Sequence, residues 1–248
     1  MSGHSKWATI KHKKGAADKA RAKVFNKIAR LLEVAAREGG SDATTNASLR
    51  TVVQKAKAAQ MTNDAIDRAI KRGAGLAAGG TYESIMYEGY APGGVALMVD
   101  TLTDNRNRTG ADVRNIFSKL GGAMAEPGAV GWQFSRRGVI HLVGGDEDSV
   151  MLIALDGGAD DVSADGDGWR VLCEPSAVYD VRDALQAGGF QIASAESTMV
   201  PSATIEVSDV EDARKILRIM DALEDNDDVQ DVYSNFDISE DLMETISE

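Results

Sequence analysis

The sequence predicts an α+β fold: an amino-terminal three-helix domain plus two α/β domains, one ferredoxin-like and inserted in the other. Three observations predict it. Apolar residues recur at helical spacing through the first 78 residues. From Thr81 onward, β-branched and aromatic runs alternate with helical segments. Residues 136–201 then read β-α-β-β-α-β, an order that closes on itself, and leave a β-α-β remainder with no sheet of its own. The 248 residues also exceed the roughly 100–150 typical of one domain.

Each element follows from its local pattern. Between Lys19 and Arg37, Val24, Ile28, Leu31, Leu32 and Ala35 form one apolar face, and Gly39-Gly40 ends that helix. A second helix carries Leu49, Val52, Val53 and Ala56; a third carries Ala65, Ile66, Ala69 and Ile70, capped by Thr62 or Asn63. The run Gly73 to Gly80 is a linker. Tyr82 to Tyr90 and Val95 to Leu102 flank Ala91-Pro92-Gly93-Gly94 as a hairpin. Val113, Ile116, Phe117 and Leu120 mark a helix ended by Gly121-Gly122.

The split βαβ order follows in Val139 to Val143, Ser149 to Leu155, Asp160 to Ala164, Trp169 to Cys173, Ala177 to Ala187 and Gln191 to Met199. What remains is a strand, Ala203 to Val207, a helix with Val210, Ala213, Ile216, Leu217 and Met220, and a strand, Val229 to Phe236. The simplest account joins these three to the sheet begun at Thr81. The expected division is therefore 1–78, a discontinuous 79–135 with 202–248, and an inserted 136–201.

Charge is segregated along this plan. Sixteen of the 27 Lys and Arg residues precede position 79 and face only six of the 39 carboxylates, a surplus of ten positive charges. The rest of the chain carries a surplus of 22 negative charges. A net charge of −12 thus conceals an amino-terminal module with the charge density of a phosphate binder, the mark of a nucleic-acid partner. The acidic domains suit a protein partner instead.

Two segments concentrate that charge. Residues 1–14 form a basic arm in which Lys6, Lys11, Lys13 and Lys14, with His12, surround Trp7 and Ile10. Such a segment can follow a phosphate backbone while its aromatic stacks on bases, or Trp7 and Ile10 can pin it to the helices. In the first helix, Lys19, Lys23, Lys27, Arg30 and Arg37 fall within roughly 80° of one another, opposite the apolar face. No carboxylate interrupts that stripe, which suits phosphate contact. A third cluster, Thr103-Asp104-Asn105-Arg106-Asn107-Arg108-Thr109, joins a strand to a helix. Arg106 and Arg108 can fork onto phosphate, or Asp104 or Asn105 can cap the helix while the arginines pair with nearby acids.

Other chemistry is excluded by pattern. Cys173 is the single cysteine and sits in an apolar run, so no intrachain disulfide can form and a buried strand position is expected. His4, His12 and His141 have no ligand-spaced partners, and neither a catalytic triad nor a P-loop can be assembled. Glu224-Asp225-Asn226-Asp227-Asp228 lacks the calcium-loop glycine and reads as a solvated acidic turn. The amino terminus has no hydrophobic signal core, and the longest apolar run, Val150 to Leu155, is too short to span a bilayer. The expectations are a non-enzymatic protein without metal or cofactor, in a reducing cytoplasm and not at a membrane.

The chain resembles the YebC family over essentially its whole length. The motifs that carry the resemblance are Gly3-His4-Ser5-Lys6-Trp7 with Ile10-Lys11-His12-Lys13-Lys14, Lys55-Ala56-Lys57, and Tyr87-Glu88-Gly89-Tyr90 with Pro92-Gly93-Gly94. To these add Leu102-Thr103-Asp104-Asn105-Arg106-Asn107-Arg108-Thr109 and Val232-Tyr233-Ser234-Asn235-Phe236. Departures are Ala47 and Thr62, where proline is common, and Glu126-Pro127 in place of a glycine-rich stretch. The resemblance implies three domains, no catalysis and a role in gene expression. Two roles compete within it: DNA-binding regulation of transcription, and ribosome association through ribosomal RNA to assist translation of difficult, for example proline-rich, stretches.

Overall fold

The structure is a computed structural model and describes residues 17–247. Three helices come first: α1 (Ala17–Gly39), α2 (Ala47–Ala58) and α3 (Asn63–Gly73). Their core is Ile28, Leu32, Ala35 and Ala36 from α1, Leu49 and Ala56 from α2, and Ile66 and Ala69 from α3. Asn46 holds the α1–α2 corner. Its side chain accepts from Leu49 N–H, capping α2, and donates to the carbonyls of Ala35 and Gly40. Thr62, one of the two alternatives, caps α3.

One expectation is corrected. Val24 is 45% exposed. On a helical projection it lies about 85° from the centre of the Phe25, Ile28, Leu32, Ala36 stripe, at the edge of what α2 and α3 cover. Gly73 likewise belongs to α3 rather than to a linker: it is buried, and a Cβ there would collide with the Glu33 backbone.

The second unit begins with β1 (Glu83–Tyr90), a short 3-10 turn at Pro92–Gly94, β2 (Ala96–Thr103), α4 (Arg106–Leu120) and β3 (Ala123–Ala125). The chain then runs through β4 (Phe134–Val143), α5 (Glu147–Asp156), β5 (Ala159–Asp165), β6 (Gly168–Cys173), α6 (Val178–Ala187) and β7 (Gln191–Pro201). It finishes with β8 (Ile205–Val207), α7 (Val210–Glu224), β9 (Val229–Ser234), β10 (Phe236–Ile238) and α8 (Glu240–Ser247).

Two four-stranded sheets result. The first has the order β3-β1-β2-β9, so a strand 126 residues downstream of Thr103 pairs antiparallel with β2. The second, β5-β6-β4-β7, has the split βαβ arrangement. Its first and last strands enter and leave side by side: Phe134 pairs with Pro201, and Ser202 N–H donates to the Gln133 carbonyl. Cys173 is buried in β6 as expected, and burial raises its thiol pKa.

The sequence expectation that Ala203 to Val207 joins the first sheet is also corrected. β8 pairs in parallel with β10 in a separate two-stranded sheet, because the last strand breaks at Asn235. Asn235 is 2% exposed and accepts from Ala96 N–H through its side chain, which ends the β2–β9 ladder and redirects the chain. The core of this unit packs α4 and α7 on the sheet: Leu97 and Val99 of β2 meet Val113 and Phe117 of α4 and Ile216, Ile219 and Met220 of α7. Gly89 permits that packing, since a Cβ would come within 2.7 Å of the Phe117 ring.

Glu88, inside one of the sequence motifs, is 8% exposed and organises the loop after β3. Its carboxylate accepts from the N–H groups of Gly128 (2.7 Å), Val130 (2.6 Å) and Gly131 (2.8 Å). Burial would raise its pKa, but the three donors outweigh burial and hold it below the usual carboxylate range. That stability is present above the unfolded pKa and is lost as pH falls through the folded value. Glu88→Gln is expected to cost about 2 kcal/mol at pH 7 in urea unfolding, with faster amide exchange at 128–131.

Candidate nucleic-acid interface

The basic stripe of α1 meets the acidic turn after α7. Lys23 Nζ lies 3.0 Å from Asp225 Oδ1 and donates to the Asp225 carbonyl. Lys27 Nζ donates to the Glu224 carbonyl at 2.8 Å. Arg30 donates to Asp228 Oδ1 at 2.9 Å and to the Asp227 carbonyl at 3.0 Å, with its guanidinium 5.5 Å from the Tyr82 ring centroid. The periodicity that sets these three cations opposite the three-helix core thus sets them against a second surface rather than wholly in solvent. Lys19 lies on α1 with its side chain outside the described residues, and Arg37 is exposed at the far end.

The turn differs from the sequence expectation. Asp228 is 4% exposed, so the acidic run is not simply solvated. It is held by the Thr103–Thr109 motif. Arg108 reaches Asp228 Oδ2 at 2.7 Å and Asp104 at 2.9 Å, and the Thr109 hydroxyl donates to Asp228 Oδ2 at 2.7 Å. Asn105 caps α4 by accepting from Arg108 N–H. The cap and the acid pairing therefore occur together in this motif. Burial raises the Asp228 pKa, and the donors Arg108, Thr109 and Arg30 outweigh it to hold the carboxyl low.

A polar cleft lies at this junction, lined by Lys23, Lys27, Arg30, Arg72, Tyr82 and Asp227 among others. Glu33, 5% exposed, faces it and pairs with Arg72. Lys6, Trp7, Lys11, His12, Lys13 and Lys14 lie outside the described residues. Arg106 is exposed at the start of α4. Cations not among the nucleic-acid-binding candidates above are exposed on the same helical unit: Arg21, Lys57, Arg68 and Lys71. Arg68 and Lys71 do carry a signal, lying three apart on the polar side of α3, but Asp64 and Asp67 stand among them and break the single sign that marks the α1 stripe.

A second charged junction sits on the other sheet face. Asp100 of β2 lies directly opposite Asp231 of β9, and Lys55 of α2 approaches Asp231 at 3.6 Å. Burial, reinforced by the Asp231 charge, pushes the Asp100 carboxyl up to about 6. A raised folded pKa gives stability that is present below the unfolded value and is lost as pH rises through about 6. Asp100→Asn is therefore expected to stabilise the protein by about 1–2 kcal/mol at pH 7.5, after allowance for solvent screening, and by nearly nothing at pH 4. Thermal unfolding at the two pH values measures it.

Among the described residues no group of three or more His, Cys, Asp or Glu side chains is placed to hold a metal ion. No described helix is long and apolar enough to cross a membrane.

Comparison with known proteins fits this architecture. Residues 5–76 match the TACO1/YebC protein N-terminal domain, and residues 82–236 match the TACO1/YebC second and third domain. A protein of Beutenbergia cavernae named probable transcriptional regulatory protein is 53% identical over 252 residues, covering all of both chains. One of Rubrobacter xylanophilus with the same name is 53% identical over 251 residues, again covering both completely. The crystal structure of a conserved hypothetical protein from Aquifex aeolicus superposes with a TM-score of 0.79 at 41% identity, over 90% of this chain and 93% of that one. Matched in both parts, and across its full length by such relatives, the chain belongs to the TACO1/YebC family.

Proposed function

We propose that this protein is a non-enzymatic, nucleic-acid-binding regulator of gene expression, and that residues 1–78 are its binding module. The observation that carries the reading is the surplus of ten positive charges in that segment against a net charge of −12 for the whole chain. The names of its relatives support a regulatory role. In this reading the contacts come from Lys6, Lys11, Lys13, Lys14, His12 and Trp7 of the arm, from Lys19, and from exposed Arg21, Lys57, Arg68, Lys71 and Arg106. Lys23, Lys27, Arg30 and Arg108 contribute less, because carboxylates and carbonyls of the 224–228 turn and Asp104 already occupy them. The unit formed by 79–135 with 202–248 holds the module in place, and 136–201 is the inserted third domain.

DNA-binding control of transcription is the first form of this reading. One observation favours the second, ribosome association through ribosomal RNA in the cytoplasm. Sequence-specific readout rests on guanidinium and amide groups set against base edges. Here the contacts named above are mostly lysine, with Arg21, Arg68 and Arg106 the exceptions, while Arg30, Arg72 and Arg108 are committed to Asp228, Glu33 and Asp104. Binding led by phosphates discriminates sequence weakly, so targeting then comes from the shape and surfaces of a partner particle. Gradient sedimentation of cell lysate at moderate salt tests the choice. Comigration with ribosomal particles that resists DNase supports translation; recovery only with particular promoter fragments supports transcription.

A further inference from the structure

We infer that the outer face of α5 is a docking surface for a cationic amphipathic helix of another protein. The ten-residue helix is apolar on two sides. Val150 and Ala154 are fully buried against the sheet of the inserted unit, and Ile153 packs beside them. One such stripe is enough to hold a helix on a sheet. Yet Leu152 is 71% exposed, Leu155 50% and Met151 37%. Helical geometry places these three within roughly 100° of one another, on the face turned away from Val150. An isolated exposed leucine needs no explanation, but a contiguous apolar patch on so short a helix marks an interaction surface.

The charge around the patch selects its occupant. From Leu142 to Trp169 the chain carries eight carboxylates and not one Lys or Arg. Asp146, which caps α5, with Glu147 and Asp148 lies at one end of the patch, and Asp156 lies at the other. The whole of 136–201 holds four cations against twelve carboxylates. A phosphate-bearing surface, whether nucleic acid or anionic lipid, is repelled there. A second copy presenting the same face would set carboxylates against carboxylates. A helix with leucine-type anchors at i and i+3 or i+4, flanked by Lys or Arg, satisfies both features: its apolar face covers Met151, Leu152 and Leu155, and its charges meet the acidic ends. Met151 suits such a contact because its unbranched side chain adapts to a partner's contours.

The surface is distinct from the basic module, so it can be tested without disturbing nucleic-acid binding. Full-length protein carrying the photo-crosslinker p-benzoylphenylalanine in place of Leu152 is irradiated in cells, and crosslinked peptides are sequenced by mass spectrometry. The expected adduct is a peptide of another protein with net positive charge and apolar residues at helical spacing. It should vanish when Asp146→Asn, Glu147→Gln, Asp148→Asn and Asp156→Asn are combined, changes that leave the capping oxygen in place. The synthetic peptide so identified should bind the full chain roughly tenfold or more weakly after Leu152→Ser with Leu155→Ser, and an unchanged thermal midpoint shows that the variant is folded. No adduct, an adduct to nucleic acid or to a second copy, an acidic peptide, or peptide binding indifferent to the serine changes would overturn the proposal.

Discussion

Asp228→Asn is expected to destabilise the protein by about 3 kcal/mol at pH 7, because one buried carboxylate joins three parts of the chain. Arg30 of α1, Arg108 of α4 and Thr109 all donate to it, and its backbone N–H and carbonyl are themselves engaged by Asn226 and by Leu102 N–H. The asparagine keeps the shape but removes the charge, leaving Arg30 without its counter-ion and Arg108 with Asp104 alone. Urea unfolding measures the loss, and a double-mutant cycle with Arg30→Gln is expected to show coupling of about 1–2 kcal/mol, since the two residues share one contact. The folded carboxyl is held low, so this contribution is present above the unfolded pKa and disappears as pH falls through the folded value. The wild type and variant should therefore converge in acid. A cost below about 0.5 kcal/mol at pH 7 would mean that the turn is an ordinary solvated one.

The helices, the hairpin and the split βαβ order are legible in the sequence because each is written in local periodicity and glycine punctuation. β3 and α8 are not, since three residues at Ala123–Ala125 and eight at Glu240–Ser247 are too short a stretch for periodicity to be told from a turn. The break at Asn235 is hidden for another reason: a buried side-chain amide, not a proline or glycine, ends the strand. The charged site is half legible. Helical spacing places Lys23, Lys27 and Arg30 on one face, but only tertiary structure reveals that Glu224 to Asp228, some 200 residues away, lies against it. Two runs of opposite sign in one chain are visible in the sequence; that they meet is not. Glu88 stands within a sequence motif, yet nothing local announces that a strand glutamate will collect three amides from a loop 40 residues on.

The second large effect concerns binding. If about five phosphates are neutralised, log K for duplex DNA should fall against log salt with a slope near −4 to −5. Each cation that touches a phosphate adds roughly 0.9 to that slope, so the residues responsible can be counted. Changing Lys6, Lys11, Lys13, Lys14, Lys57, Arg68 and Lys71 together to Gln should lower affinity by about two orders of magnitude near 0.1 M salt and leave a slope no steeper than about −2.7, the share that Lys19, Arg21 and Arg106 can still supply. Lys23→Gln with Lys27→Gln should move the slope by less than about 1, because those charges already meet the 224–228 turn. The most direct test of the account is this pair of salt titrations on the full-length protein, with circular dichroism to establish that both variants keep their helices. A fall of slope and affinity in the first variant and near wild-type behaviour in the second are expected; a first variant that binds duplex DNA and ribosomal RNA with the wild-type slope would contradict the assignment of binding to residues 1–78.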